Sequence, residues 1–456
     1  MQVSKQWFQQ KGWQPQAFQL ESWDYYQKGY HTLINAPTGS GKTYAALLPI
    51  LEEQLSKPHQ GLRAIWITPI KALAKEIQLS AERAIEGLGM DWKVAIRSGD
   101  TPANVRAQIK KKPPQLLITT PESLHLMLAQ KGYAKYFKNV TAFVVDEWHE
   151  LMGTKRGVQI ELGLSRLKAI CPQLKICGIS ATIGNLDEAL EVLLGTDYQH
   201  HPHKLIKADI HKKLIVETIF PKTIETLPWA GHIGIKLLDQ IIPKINESTS
   251  TLIFVNTRSM VEIWYQNILA KAPELAGQVA IHHGSISKEI RYWVEESLYE
   301  GKLKAVVCTS SLDLGVDFRP VETIIQIGSP KGVSRFMQRA GRSGHQPNAT
   351  SKIYFVPTHS LELVEAAALR QAIQEQKIES RIPYFRSFDV LIQYLMTLAV
   401  SDGYTPTEIF AAVQNTFSFQ TMTEEEWYWI HQFLTVGGTA LGAYDEFHKV
   451  VVEDGI

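Results

Sequence analysis

Short, β-rich apolar runs alternate with amphipathic helical stretches twice along this chain, and that alternation narrows the choice of fold severely. The first set spans residues 20–205, with apolar runs at 31–36, 64–68, 116–120, 142–146 and 175–180. The second spans 215–360, with runs at 251–256, 278–282, 305–309, 323–327 and 352–356. Continuously apolar strands separated by helices must be covered on both faces, which is the pattern of a parallel α/β sheet. Two such units in tandem are expected, over 1–210 and 211–375. The connecting stretch 200–213 reads as a solvated linker rather than a metal site, because His200, His201, His203 and His211 lack a rigid ligand spacing and Pro202 interrupts them.

Beyond residue 375 the plan becomes helical, with apolar residues at helical spacing in 388–401, 406–415 and 424–436. Thr405 is the expected N-cap of the second helix, with Glu408 as its capping-box partner, and Gly437-Gly438 closes the third. Residues 439–452 read as two strands around Tyr444-Asp445-Glu446. Three helices and a hairpin over 376–456 suggest a winged-helix module. The end at Ile456, directly after Val450-Val451-Val452, is that expected of a fragment.

Composition excludes more than it assigns. Cys171, Cys177 and Cys308 form no C-x-x-C pair, which argues against a disulfide framework and a zinc site. No apolar run reaches the ~18 residues of a membrane span, and the first residues lack the apolar core of a signal peptide. A cytoplasmic protein with no membrane partner is expected. Forty-seven Lys and Arg against 46 Asp and Glu give a net charge of +1. Any nucleic acid must therefore be held in local grooves rather than by a global field.

The most specific motif is Ala36-Pro37-Thr38-Gly39-Ser40-Gly41-Lys42-Thr43, between the apolar Leu33-Ile34 and a helical stretch at 44–55. A strand, a glycine loop and a helix in that order form a P-loop, whose backbone N–H groups surround phosphate oxygens at a positive helix end. Pro37, Thr38, Gly39, Ser40 and Gly41 would line the phosphates. Lys42 would reach the β- and γ-phosphates and Thr43 would ligate Mg²⁺. Phe143-Val144-Val145 runs into Asp146-Glu147. A hydrolase needs both carboxylates: Asp146 to hold the metal and Glu147 to position the attacking water. In Gln338-Arg339-Ala340-Gly341-Arg342, the two arginines three apart share a helix face and could aim two guanidiniums at a γ-phosphate.

Together these residues resemble the DExH helicases of superfamily 2, over a motif order running from about Phe8 to His345. The resemblance implies two tandem RecA-like domains with ATP in the cleft between them. It makes Gln19 the adenine-reading glutamine. It also matches Thr68-Pro69-Ile70-Lys71, Thr119-Thr120-Pro121-Glu122-Ser123, Ser180-Ala181-Thr182 and Phe254-Val255-Asn256-Thr257-Arg258 to further helicase motifs. In Thr309 to Asp317, the family pattern places Gly315 and Asp317 near the nucleotide. Pro69, Lys71, Thr120, Ser123, Thr257, Arg258, Thr309 and Ser310 would then touch the nucleic-acid strand. Such contacts carry no sequence information, as a translocase requires.

Asp146-Glu147-Trp148-His149-Glu150-Leu151-Met152-Gly153-Thr154-Lys155-Arg156-Gly157 and Arg97-Ser98-Gly99-Asp100-Thr101 narrow the resemblance to the Lhr type. Within it, the chain is most similar to the ligase-associated DEXH-box helicases of bacterial DNA repair. Family members are longer, so this chain would be their helicase core. The resemblance implies a monomeric, ATP-dependent 3′-to-5′ translocase on single-stranded or tailed DNA in the nucleoid, with repair ligases or nucleases as partners. RNA or an RNA–DNA hybrid as substrate, ribonucleoprotein remodelling, and a nucleotide-gated clamp that does not translocate are the alternatives.

Three features read more plainly. Lys110-Lys111-Lys112 is expected as a solvated loop and Trp148 as a packing residue. The acidic start of the helix at Glu424-Glu425-Glu426 would repel phosphates, so the winged helix is expected to brace or guide rather than read sequence.

Overall fold

The computed structural model describes residues 1–55, 61–181, 183–210, 214–220, 234–313, 321–343, 351–437 and 449–453. Seven strands form the first sheet: β1 (His31–Asn35), β2 (Ala64–Ile67), β3 (Val94–Arg97), β4 (Leu116–Thr119), β5 (Ala142–Val145), β6 (Lys175–Ser180) and β7 (His203–Lys207). Their order is β3-β4-β2-β5-β6-β1-β7, and every pairing is parallel. The second sheet holds β8 (Leu214–Thr218), β9 (Thr251–Phe254), β10 (Val279–His282), β11 (Ala305–Cys308), β12 (Thr323–Ile327) and β13 (Ser351–Val356). It is also wholly parallel, in the order β10-β11-β9-β12-β13-β8.

Central strands such as β2, β4, β5, β9 and β11 are buried at every residue, as strands covered on both faces must be. Two apolar clusters line the faces of the first sheet and two those of the second. The expected linker at 200–213 is partly structured. His203–Lys207 forms β7 and pairs along its whole length with β1. As an edge strand it needs one neighbour only, and just Ile206 is fully buried, so its polar composition hid it. The edge strands β3 and β8 escaped the apolar pattern for the same reason, being mostly half-exposed.

Three helices, Phe388–Val400, Pro406–Gln414 and Glu424–Val436, follow the second sheet. The capping box expected at Thr405 is absent there, since Thr405 is the N-cap without a side-chain bond. It occurs at the third helix instead, between Thr423 and Glu426. Gly437 ends that helix in the left-handed conformation, φ 73°, as expected. Most of the expected wing, residues 438–448, lies outside the described residues.

This module packs on the first unit, its Leu391, Tyr394 and Leu395 merging with that unit's core. Buried Glu161 accepts hydrogen bonds from the Ser418 N–H (2.9 Å) and hydroxyl (2.7 Å). Ser165 donates to the Ala412 carbonyl, Thr196 N–H to the Asn415 carbonyl, and Gly132 N–H to the Asp402 carboxylate. No described helix is long and apolar enough to cross a membrane.

Candidate functional site

The carboxyl ends of parallel strands are where an α/β sheet gathers ligand-binding loops, and most of the predicted residues that are described lie there in both units. The P-loop leaves β1 and enters the helix Lys42–Gln54. Gly39 and Gly41 take φ values of 74° and 81°, a left-handed turn that glycine adopts at little cost. Ser40 closes the loop by donating to the Pro37 carbonyl at 2.7 Å. A Cβ on Gly41 would stand 2.7 Å from Gln19 Nε2. Gln19 is tied at both ends of its amide: it donates to the Gly41 carbonyl (3.1 Å) and accepts from the Gln16 N–H (2.8 Å). The residue expected to read adenine thus supports the phosphate loop.

Asp146 and Glu147 follow β5 directly. Asp146 accepts from Trp66 Nε1 (3.2 Å) and from the Glu147 N–H (2.8 Å). Glu147 has φ 46°, a conformation costly for a side chain with a Cβ and concentrated at functional sites. Burial and the adjacent Glu147 raise the Asp146 carboxyl to about 7. Burial also pushes Glu147 up, but the charges of Lys42, His149 and Arg342 prevail and hold it below the ordinary glutamate range.

Lys42 Nζ lies 3.8 Å from Glu147 Oε1. Both Lys42 Nζ and Glu147 Oε2 are buried without a hydrogen-bond partner. A buried cation and a buried carboxylate oxygen, both left unsatisfied, are expensive unless a ligand completes them. With Thr43 in the first turn of the same helix, this donor set fits a nucleoside triphosphate with Mg²⁺.

The second unit closes the site. Its helix Val333–Ala340 carries Gln338 and Arg339, with Gly341 and Arg342 following. A Cβ on Gly341 would collide with Thr38 Oγ1 of the P-loop unless that side chain turned away, so the two loops meet in close contact there. Arg339 is 2% exposed and spends its guanidinium inside its own unit, bonding Asp313 through Nε (2.8 Å) and NH2 (3.2 Å) and also Gln326. The expectation of two equivalent arginines facing phosphate is therefore not met. Arg342, held by the Asp313 carbonyl (2.8 Å), is the one whose charge acts on Glu147. Gly315 and Asp317 lie outside the described residues.

Sequence reasoning assigned no role to His149, Glu379 or Asp313. His149 is buried, and burial lowers its pKa. Its Nδ1 is 3.5 Å from Glu147 Oε2 and 3.3 Å from Ser180 Oγ and the Ala181 N–H. Its Nε2 meets Gln338 Nε2 of the second unit at 2.5 Å. One ring thus touches the Glu147 carboxylate, the Ser180-Ala181 segment and the opposite wall. Glu379, beyond the second sheet, straddles both units. Its carbonyl accepts from Gly184 N–H of the first (3.1 Å), and its carboxylate accepts from Ser334 N–H at the start of the arginine-bearing helix (3.0 Å).

The expected strand-binding residues cluster at the ends of β2, β4, β9 and β11. Thr120 and Thr257 are the N-caps of the helices Pro121–Leu128 and Arg258–Lys271, accepting from Ser123 N–H and Met260 N–H. Arg258 opens the second of these helices. Lys71 begins the helix Lys71–Gly87 and pairs with Asp100 at 2.5 Å. The Pro69 carbonyl accepts from Arg156 (2.7 Å). Thr309 donates its hydroxyl to Ser311, and Ser310 starts a short 3₁₀ turn. Helix N-termini at strand ends are suited to backbone phosphates. Trp148 packs fully buried, as expected, with its Nε1 on the Ala189 carbonyl.

Three family models match: the DEAD/DEAH box helicase over 16–189, the helicase conserved C-terminal domain over 234–346, and the winged helix domain of large helicase-related protein over 371–456. The chain is 34% identical to the ATP-dependent helicase Lhr-Core of Methanothermobacter thermautotrophicus, across 92% of this chain and 50% of the relative. It is 31% identical to the Lhr helicase/uracil glycosylase of Escherichia coli, across 90% of this chain and 31% of that protein. The structure of Mycobacterium smegmatis helicase Lhr bound to ssDNA and AMP-PNP matches with a TM-score of 0.85 at 31% identity, covering 95% of this chain and 57% of that one. The chain thus spans about half the length, or less, of these relatives. With RecA-like sheets, P-loop, acidic pair and winged helix all in the order of that family, the chain belongs to the Lhr-type helicases of superfamily 2.

Proposed function

We propose that this chain is the motor core of an ATP-driven translocase that runs 3′-to-5′ on single-stranded DNA. One observation carries the reading. Lys42, Glu147 and Arg342 converge from two units on one cleft, leaving Lys42 Nζ and Glu147 Oε2 buried and unsatisfied. Lys42 would bind the β- and γ-phosphates, and Glu147, kept ionised by its cationic neighbours, would orient and deprotonate the attacking water. Arg342 would face the γ-phosphate, with Arg339 positioning it through their shared Asp313. Mg²⁺, held by Thr43 and Asp146, would neutralise charge on the phosphates. Gln19 would sense the nucleotide through the P-loop, and Gly315 and Asp317 would approach it from the second unit.

Closure is favoured by ATP because only the closed cleft brings Arg342 to the γ-phosphate, and hydrolysis removes that contact. Repeated over a strand held at the ends of β2, β4, β9 and β11, opening and closing would advance one unit along the backbone. The relative bound to ssDNA and AMP-PNP supports DNA as the strand. The narrower likeness to ligase-associated repair helicases, with their nucleoid setting and ligase or nuclease partners, belongs to the same proposal.

The test is the ATPase rate with matched single-stranded DNA and RNA, using Glu147→Gln as the blank. Stimulation by DNA alone, followed by 3′-to-5′ polarity on tailed duplexes, is expected. Equal or greater stimulation by RNA would replace this reading with ribonucleoprotein remodelling. Stimulation independent of strand length would replace it with a clamp.

A further inference from the structure

Lys110-Lys111-Lys112 is not the solvated loop the sequence suggested. Lys110 and Lys111 form the last turn of the helix Ala103–Lys111, and Lys112 caps it. Both line a cavity of about 330 Å³ at the edge of the first unit, shared with Arg97, Lys131, Lys135 and Tyr136. Arg97 ends the edge strand β3. It is only 6% exposed, and its guanidinium has no hydrogen-bond or ion-pair partner among the described residues. Burial, opposed by Tyr136 and reinforced by Arg106, lowers its pKa.

The local charge offers no relief. Between residues 102 and 140, seven Lys and Arg accompany one acid, Glu122, and that acid is paired with Arg156 at 2.6 Å. The carboxylate of Asp402 reaches the rim, where it accepts the Gly132 N–H at 2.9 Å rather than meeting a cation. A largely buried arginine without a counter-charge is costly, while a planar fork opening on a cavity ringed by lysines is the usual receptor for a phosphate group.

We propose that this pocket binds a phosphate group of the nucleic-acid strand, extending the strand's path from the ends of β2 and β4 around the β3 edge. Arg97 pairs in register with Thr119, whose hydroxyl donates to the Arg97 carbonyl at 2.7 Å. The next residue, Thr120, belongs to the strand-binding set, so the pocket begins one β-strand away from it. This inference rests on the strand-binding reading of the proposed function.

The test compares the full chain with its Lys110→Gln/Lys111→Gln/Lys131→Gln variant, using fluorescent oligothymidylates of increasing length. These lysines are exposed, so the variant should fold with an unchanged or higher Tm. Both proteins should bind short oligonucleotides equally. The parent should go on gaining affinity with length after the variant has reached a plateau, ending roughly tenfold tighter, as expected for one lost charge-assisted contact. The slope of log Kd against log salt should fall by about 0.7 for each phosphate contact removed. Lys→Arg replacements should restore both. Identical length and salt dependence in the two proteins would overturn the inference while leaving the proposed function standing. If neither protein binds any oligonucleotide, both fall. A Tm increase with orthophosphate in the parent alone would then assign the pocket to free phosphate.

Discussion

Arg339 grips Asp313 in a two-bond fork, Nε to Oδ1 at 2.8 Å and NH2 to Oδ2 at 3.2 Å, with both side chains buried. Breaking a buried pair strands the remaining charge, at a cost of about 3–5 kcal/mol. Arg339→Ala should therefore lower Tm sharply as well as abolish turnover. Arg342→Ala, which loses hydrogen bonds to the Asp313 carbonyl but no buried ion-pair fork, should lower Tm less and reduce turnover by ~10³-fold or more, the scale of an arginine finger. Thermal unfolding and ATPase assays on both variants check the division of labour. Equal thermal loss in the two would refute it.

Lys42→Ala should abolish hydrolysis and weaken nucleotide binding. Glu147→Gln should abolish turnover while ATP still binds, measured with a fluorescent ATP analogue. Glu147→Gly is the more telling variant. Glycine tolerates the φ of 46° recorded at this position, but the change leaves the buried Lys42 cation without the carboxylate 3.8 Å away, so the protein should be inactive and melt no higher than the parent. Turnover near the parent's rate in any of the three would contradict the site.

Glu379→Ala tests the segment that straddles the cleft. Its carboxylate accepts the Ser334 N–H at the start of the arginine-bearing helix, a contact that costs about 1 kcal/mol to lose in ordinary N-caps. The expected result is a several-fold lower kcat with little change in KM for ATP. A change in KM alone would place Glu379 outside the positioning of the arginine.

Glu161 predicts a pH dependence. Burial pushes its carboxyl up from 4.5 to about 8, despite two hydrogen bonds from Ser418. Between those values the folded chain keeps a proton that the unfolded chain has released. Stability must then fall as pH rises through that window, by at most about 1.4 kcal/mol for each pH unit. Melting curves from pH 5 to 8.5 should show this decline in the parent and a flatter profile in Glu161→Gln. A parent profile that rises over this range would have the wrong sign.

Contiguous motifs were legible in the sequence because their chemistry and their local structure coincide. A glycine loop between a strand and a helix, and two acids after Phe143-Val144-Val145, need no distant partner to be recognised. Contacts across the chain left no such signal. Arg339 meets Asp313 across 26 positions and Glu161 meets Ser418 across 257, so the arginine looked free and the glutamate unremarkable. Edge strands were missed because half-exposed strands lack a continuous apolar run. Lys110-Lys111 looked like a loop because nothing nearby in sequence announced the buried Arg97 beside it.

The helical module is fastened to the first unit through Ser418, Ala412, Asn415 and Asp402, and its apolar face is continuous with that unit's core. The cleft, by contrast, is spanned by single polar contacts such as Gln338 to His149. On the proposed function, a chain of three folding units would work as two bodies. The P-loop and the helices from Phe388 to Val436 would share one frame, and the second sheet would travel against it. The length of a step along the strand would then be the travel of that sheet alone.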